Sequence, residues 1–165
     1  MIDAATRLGR AENRAVFSGF REGGIGGICE RSPHAPLELP GEDGDYPGTV
    51  AEGIRLLREA GVDGPYGLAL GPRAFTAIHR TTGPGGYPVL RAIHDLTGGS
   101  VAWAPALDGA VLLSTRGEDF ELTLGRDASI GYLGHSASRV ELYLVESFAF
   151  RVLAPEAAVA LRHPA

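Results

Sequence analysis

Residues 139–153 read RVELYLVESFAFRVL, and apolar side chains recur at every second position along this stretch. A period of two predicts a long β-strand with one face toward a core. That face carries Val140, Leu142, Leu144, Phe148, Phe150 and Val152. Glu146 falls on the same face, where a carboxylate costs free energy unless it is paired or lies near an edge. We therefore expect a bulge, a partner arginine or an intersubunit contact at Glu146.

The pattern upstream of this strand changes at Ser100. Beyond it, VAWAPAL, GAVLLST and FELTLG predict strands, and RGED (Arg116–Asp119) predicts the hairpin turn between the last two. Before it, a period of 3.6 predicts four helices. The first runs from Asp3 to about Arg21, and the second follows TVAE (Thr49–Glu52), which has capping-box spacing. The third begins at Pro72 and the fourth at Pro88. YGLAL predicts a short buried strand among them. Helices first and strands last indicate an α+β fold.

Composition excludes several classes of protein. The chain has 165 residues, 44% of them hydrophobic, which suits a single domain with its own core. Its formal net charge of -5 gives no basic footprint for nucleic acid or anionic lipid. The apolar runs are too short to span a bilayer, and the N-terminus has no signal-like stretch. The single cysteine, Cys29, fits a reducing cytoplasm.

A glycine-rich stretch, GPGGYPV (Gly83–Val89), separates two predicted helices. It could be a phosphate cradle, a hinge, or a constriction shared by several copies of the chain. A phosphate loop is disfavoured, because the GKS or GKT ending and a preceding strand are missing. A plain helix–helix turn remains open on the residue pattern alone.

No convincing catalytic or metal site follows from the residues. His79 and His94 lie on the two helices that flank the glycine-rich stretch, without ligand spacing, and are interpreted as solvated helix residues. Cys29 has no evident activating partner. We predict no catalytic residue, no metal and no cofactor.

Four stretches together resemble the encapsulins, shell proteins of bacteria and archaea with the major-capsid fold of tailed bacteriophages. The most specific is STRGEDFELTLG (Ser114–Gly125), within a run from Leu107 to Leu161. The other three, in the same order as in the family, are Glu12–Ile28, Ala60–Pro72 and Gly86–Gly99. The resemblance implies a phage major-capsid-like fold. It divides the chain into a spine-helix remnant of the peripheral domain (1–28), a mainly axial domain (29–125) and C-terminal strands of the peripheral domain (126–165).

The resemblance also implies a function. Encapsulin subunits assemble into closed icosahedral nanocompartments in the cytoplasm. The compartments enclose cargo enzymes, often a dye-decolorising peroxidase or a ferritin-like protein, which a short C-terminal peptide recruits. The shell itself is generally not an enzyme, so we expect a homo-oligomer without catalysis.

Two sets of site residues follow from the same resemblance. The region that matches Thr81–Tyr87 is the tip of the axial domain at the five-fold axis. The residues that would line a small pore there are Thr82, Gly83, Pro84, Gly85, Gly86 and Tyr87. The remaining inner-wall part of the cargo-peptide groove would lie near Asp127, Ser129 and Ile130.

The chain also departs from the family pattern. Encapsulins have an N-terminal helix, an N-terminal arm and an extended loop before the residues that match Met1, so these are expected to be missing. A tryptophan that binds flavin in some members is missing with them, and no flavin is expected. Three interpretations remain: a shell subunit, a module that forms only rings or small oligomers, and a capsid fold adapted to an enzyme.

Overall fold

The computed structural model describes residues 2–41 and 45–164, with the backbone alone at Ile2 and Pro84. Within these ranges five α-helices precede or interleave with seven strands, an α+β arrangement. The helices are α1 (Ile2–Ser18), α2 (Ile28–Arg31), α3 (Tyr46–Glu59), α4 (Pro72–Arg80) and α5 (Val89–Thr97). The strands are β1 (Leu37–Glu38), β2 (Tyr66–Leu70), β3 (Val101–Trp103), β4 (Ala110–Ser114), β5 (Phe120–His135), β6 (Val140–Val152) and β7 (Ala158–Arg162).

Two helix boundaries differ from those that the sequence pattern predicted, and local residues explain both differences. α1 ends at Ser18, earlier than predicted, because Gly19 has a φ of 93°. The predicted capping box at Thr49–Glu52 is wrong, since α3 begins at Tyr46. The Asp45 carboxylate instead accepts a 2.8 Å hydrogen bond from the backbone N–H of Gly48. The acidic stretch before it, residues 42–44, lies outside the described residues.

A five-stranded sheet in the order β1-β7-β4-β2-β3 forms the centre of the molecule. β4 pairs antiparallel with β2 and β7, whereas β1 and β3 are parallel to their neighbours. Successive residues of β2 alternate between two cores: Leu68 and Leu70 face α3, α4 and α5, while Ala69 faces α1 and α2. Helices on both faces therefore make this sheet the buried part of the fold.

The second sheet is a long two-stranded hairpin of β5 and β6, paired from Phe120–Val152 to His135–Val140. β5 carries three register shifts. One lies between Arg126 and Ser129, so that two residues of β5 oppose the single residue Glu146. The predicted bulge at Glu146 is therefore confirmed. β7 returns from the hairpin to the five-stranded sheet beside β4.

The predicted hairpin between β4 and β5 is wrong, because both edges of β4 are already paired with β2 and β7. The turn at Arg116–Asp119 instead carries the chain from one sheet to the other. The guanidinium of Arg116 donates to the buried Asp119 carboxylate at 2.8 Å. The Asp119 carbonyl accepts hydrogen bonds from Leu153 and Ala154, which ties the end of the hairpin to this turn.

Candidate functional site

The glycine-rich stretch is a closed, exposed turn between α4 and α5. Thr82 and Pro88 form an isolated antiparallel bridge, and the N–H of Gly83 donates to the carbonyl of Tyr87 at 2.7 Å. Gly85 and Gly86 adopt φ values of 74° and 78°, which favour glycine. A Cβ at either position would meet no atom within 4 Å. These two glycines are therefore needed for backbone conformation, and the space around them is open.

Tyr87 supports the turn from its C-terminal side. Its ring is about half exposed, and its hydroxyl donates a 2.7 Å hydrogen bond to the carboxylate of Asp95 on α5. This hydrogen bond is the main cause that raises the pKa of Tyr87. Thr82 and Tyr87 thus lie at the two sides of one exposed turn between α4 and α5.

The residues predicted for a cargo peptide lie at and beside the bulge in β5. The Asp127 carboxylate accepts a hydrogen bond from the N–H of Ala128, and the Ser129 hydroxyl lies 3.4 Å from the carbonyl of Val145. Ile130 is more than half exposed. It lines a cavity of about 330 Å³ whose other walls are Ala4 of α1 and Val140, Leu142, Tyr143 and Leu144 of β6.

A second groove, which the sequence analysis missed, lies farther along the same helix and strand. Its volume is about 450 Å³, and its lining is mostly apolar. Leu8, Ala11 and Ala15 of α1 form one wall, and Phe148 of β6 forms part of the other. The apolar stripe of α1 and the apolar face of β6 were both visible in the sequence, but their juxtaposition was not.

Glu146 gives this groove an acidic character. It lines the groove with Glu12 and Arg14, and it makes no ion pair among the described residues. Burial raises the pKa of Glu146, and the like charges of Glu12 and Asp127 raise it further. Of the three expectations for Glu146, the bulge is present, a partner arginine is not found in the described part of the chain, and the intersubunit contact stays a prediction.

The other side chains considered from the sequence, His79, His94 and Cys29, lie on three different helices. His79 stacks on Phe75 with ring centroids 3.8 Å apart, and His94 lies beside the carbonyl of Gly99. Burial raises the pKa of the Cys29 thiol, which disfavours the reactive thiolate. Across residues 2–41 and 45–164, no three His, Cys, Asp or Glu side chains are grouped so that they could hold a metal ion. None of the helices in these ranges combines the length and the hydrophobicity that a membrane span requires.

The hairpin also exposes an unusual amount of apolar surface. Eight of its large apolar side chains are at least 45% exposed: Leu122, Leu124, Ile130, Tyr132, Leu133, Val140, Leu142 and Tyr143. Exposed apolar patches of this kind mark interaction surfaces in soluble proteins. Both outer edges of the two-stranded sheet are also unpaired in the described chain.

Comparison with known proteins identifies the family. A family model described as "Encapsulating protein for peroxidase" matches residues 1–149. The chain belongs to the encapsulin family. A type 1 encapsulin shell protein of Rhodospirillum rubrum is 53% identical over 162 residues, which cover 98% of this chain and 58% of that protein. A type 1 encapsulin shell protein of Rhodococcus erythropolis is 47% identical and is covered over 60% of its length. The chain therefore spans somewhat more than half the length of these curated relatives.

Solved structures confirm the phage major-capsid-like fold. The match to a virus-like particle from Pyrococcus furiosus covers 77% of this chain and 56% of the particle's chain, with a TM-score of 0.61 and 18% identity. The match to Gordonia phage Cozz covers 98% of this chain and 61% of that one, with a TM-score of 0.68 and 17% identity. At these identities the likeness concerns the fold alone.

Proposed function

We propose that this chain is a self-assembling shell subunit that contributes to a nanocompartment in the cytoplasm. Its relatives named above are shell proteins. The observation that carries the proposal is the exposed apolar surface of β5 and β6. A two-stranded hairpin is marginally stable in water by itself. Neighbouring copies of the subunit would bury this surface and pair with its open edges.

The exposed turn would line a pore where identical subunits meet. The proposed lining residues are Thr82, Gly83, Pro84, Gly85, Gly86 and Tyr87. Support comes from the open space around Gly85 and Gly86, which leaves room for other copies of the same turn. A pore lined mainly by backbone groups would discriminate weakly between ions.

The groove beside the β5 bulge would bind part of a cargo peptide through Asp127, Ser129 and Ile130. Ile130 and its neighbours offer apolar contact area, and Asp127 lies close enough to influence Glu146. A peptide with apolar side chains and one basic residue would match these features. The cargo would be a peroxidase or a ferritin-like enzyme, and the family description names a peroxidase.

The shell subunit itself would carry out no catalysis. We retain the proposed division into a spine-helix part (1–28), a mainly axial domain (29–125) and C-terminal strands of the peripheral domain (126–165). In this division, α1 and the hairpin from Arg126 onward would lie in the peripheral domain. The turn before α5 would form the axial tip.

Native mass tests the proposal. Light scattering behind size exclusion, with negative-stain images of the peak, should show closed particles of uniform size. A monodisperse monomer would overturn the shell proposal. A uniform small ring would instead support the interpretation as a module that forms only rings. Particles dissociated and reassembled in the presence of a labelled peroxidase that carries its C-terminal peptide should then retain the label, whereas a peptide-deleted control should not be retained.

A further inference from the structure

A cavity of about 430 Å³ lies beside α4, away from the grooves along α1. One wall is the solvent-facing side of α4, where Arg73, Thr76 and Arg80 follow helical spacing. The opposite wall includes His163, which directly follows β7. Thr82 of the glycine-rich turn also lines the cavity. The cavity thus joins the end of the central sheet to the base of that turn.

The cavity concentrates positive charge in a chain whose net charge is negative. Arg73 and Arg80 form no ion pair or side-chain hydrogen bond within the described ranges. No carboxylate occurs among the described residues that line the cavity. Two guanidinium groups therefore present many hydrogen-bond donors, and nothing described in the wall neutralises their charge.

Arg73 occupies a position that helix energetics disfavour. It lies in the first turn of α4, where the partial positive charge of the helix end repels a cation. Helix stability would be served better by an acidic residue at this position. A bound anion at the cavity would offset this repulsion.

His163 provides a second observation on this cavity, independent of the two arginines. Its Nε2 atom is buried and has no hydrogen-bond partner among the residues that the structure describes. Burial is the main cause that lowers the pKa of His163, and Arg73 lowers it further, whereas Asp108 acts in the opposite direction. The imidazole as a whole is only partly buried and lines the cavity, so its protonation would respond to a bound anion.

We propose that this cavity binds an oxyanion of the phosphate type, held by Arg73 and Arg80, with His163 in the opposite wall. The planar guanidinium groups match the geometry of a phosphate. The volume exceeds that of inorganic phosphate, so the phosphate group of a monoester would also fit. Because Thr82 shares the cavity, a bound anion would also restrain the base of the glycine-rich turn.

Titration calorimetry of the assembled protein with inorganic phosphate, at constant ionic strength in potassium chloride, tests the proposal. We expect saturable binding with one phosphate for each chain. Arg73→Gln and Arg80→Gln should each weaken binding by about tenfold, the value of one charge-assisted hydrogen bond. Arg58→Gln is the matched control and should leave the affinity unchanged. Arg58 lies on α3 outside this cavity and makes no ion pair with any described residue.

A parallel titration with adenosine monophosphate, with adenosine as its control, distinguishes a free phosphate from a phosphate monoester. Equal affinities for phosphate and the monophosphate would indicate free phosphate. At least tenfold tighter binding of the monophosphate would indicate an ester. Either result would support the proposed binding site.

The ring signals of His163 in NMR spectra give a second readout. A nearby anion favours the charged imidazole, so saturating phosphate should raise the pKa of His163. The proposal is overturned if phosphate shows no saturable binding, or if Arg58→Gln weakens it as much as Arg80→Gln. An unchanged pKa of His163 at saturation would also contradict the proposal, because His163 lines the cavity.

Discussion

The five-stranded sheet and the two-stranded hairpin are built from similar apolar strands, yet they end in opposite environments. All five residues of β2 are buried, because helices of the same chain cover both faces of its sheet. In β6, by contrast, burial decreases along the strand from Phe150 near the central sheet to Val140 at the tip. The alternation of apolar residues therefore identifies a face that must be covered, but it does not say which molecule covers it.

The first prediction concerns the tip of the hairpin. Leu133→Asp and Val140→Asp each place a charge on the most exposed apolar positions, so we expect closed particles to disappear from size-exclusion profiles while the subunit stays folded by circular dichroism. Leu96→Asp on α5 is the control, since Leu96 is an exposed leucine outside the hairpin. Equal loss of particles with the control would show that assembly is not concentrated in the hairpin.

In the central sheet, Leu112→Ala should reduce the free energy of unfolding by about 2–5 kcal/mol, because Leu112 is fully buried and a cavity would remain. Leu133→Ala in isolated subunits should change it by less than about 0.5 kcal/mol. Urea denaturation measures both. A large effect of Leu133→Ala in the isolated subunit would mean that the hairpin folds against its own chain.

The glycine-rich turn gives a smaller effect. Gly85→Ala should cost about 1 kcal/mol, because alanine is disfavoured at a φ of 74° even though its Cβ would meet no atom. Gly83→Ala is the matched control in the same turn, since Gly83 has a φ of -78°. Thermal unfolding should separate the two variants. Equal stability would contradict a conformational requirement for glycine at residue 85.

The smallest effect concerns Glu146, which lies beside Glu12, Asp127 and Arg14. Its pKa is raised in the folded state, so the folded state holds its proton more readily and loses stability as pH rises above the ordinary value of 4.5. Glu146→Gln should therefore stabilise the isolated subunit at pH 7, and the difference should vanish below about pH 4. Glu141→Gln on the exposed side of β6 is the control. A destabilised Glu146→Gln variant at pH 7 would point to an unseen favourable partner.

Local patterns predicted most of the elements. Prolines at residues 72 and 88 marked α4 and α5, and the apolar run YGLAL marked β2, because backbone restriction and hydrophobic periodicity act within a few residues. The partner of each strand was harder to predict. RGED looked like a hairpin turn, but β4 pairs with β2 and β7, which lie about forty residues away on either side.

The candidate sites also differ in how far the sequence could predict them. The glycine-rich turn could be located from its composition alone, and its proposed role at a symmetry axis came from the family resemblance. The groove between α1 and β6 could not be located, since it depends on packing between residues more than a hundred positions apart. The basic cavity was missed for a similar reason: Arg73 and Arg80 share a helix face, but His163 joins them only through the position of β7.

Hydrogen exchange tests the contrast between the two regions most directly. Amides of the assembled particles and of dissociated subunits should be compared by mass spectrometry. We predict that β2 and β4 are protected in both states, whereas β5 and β6 are protected only in the particle. Strong protection of residues 120–152 in the dissociated subunit, or rapid exchange of these residues in the particle, would contradict the account that neighbouring copies cover the hairpin.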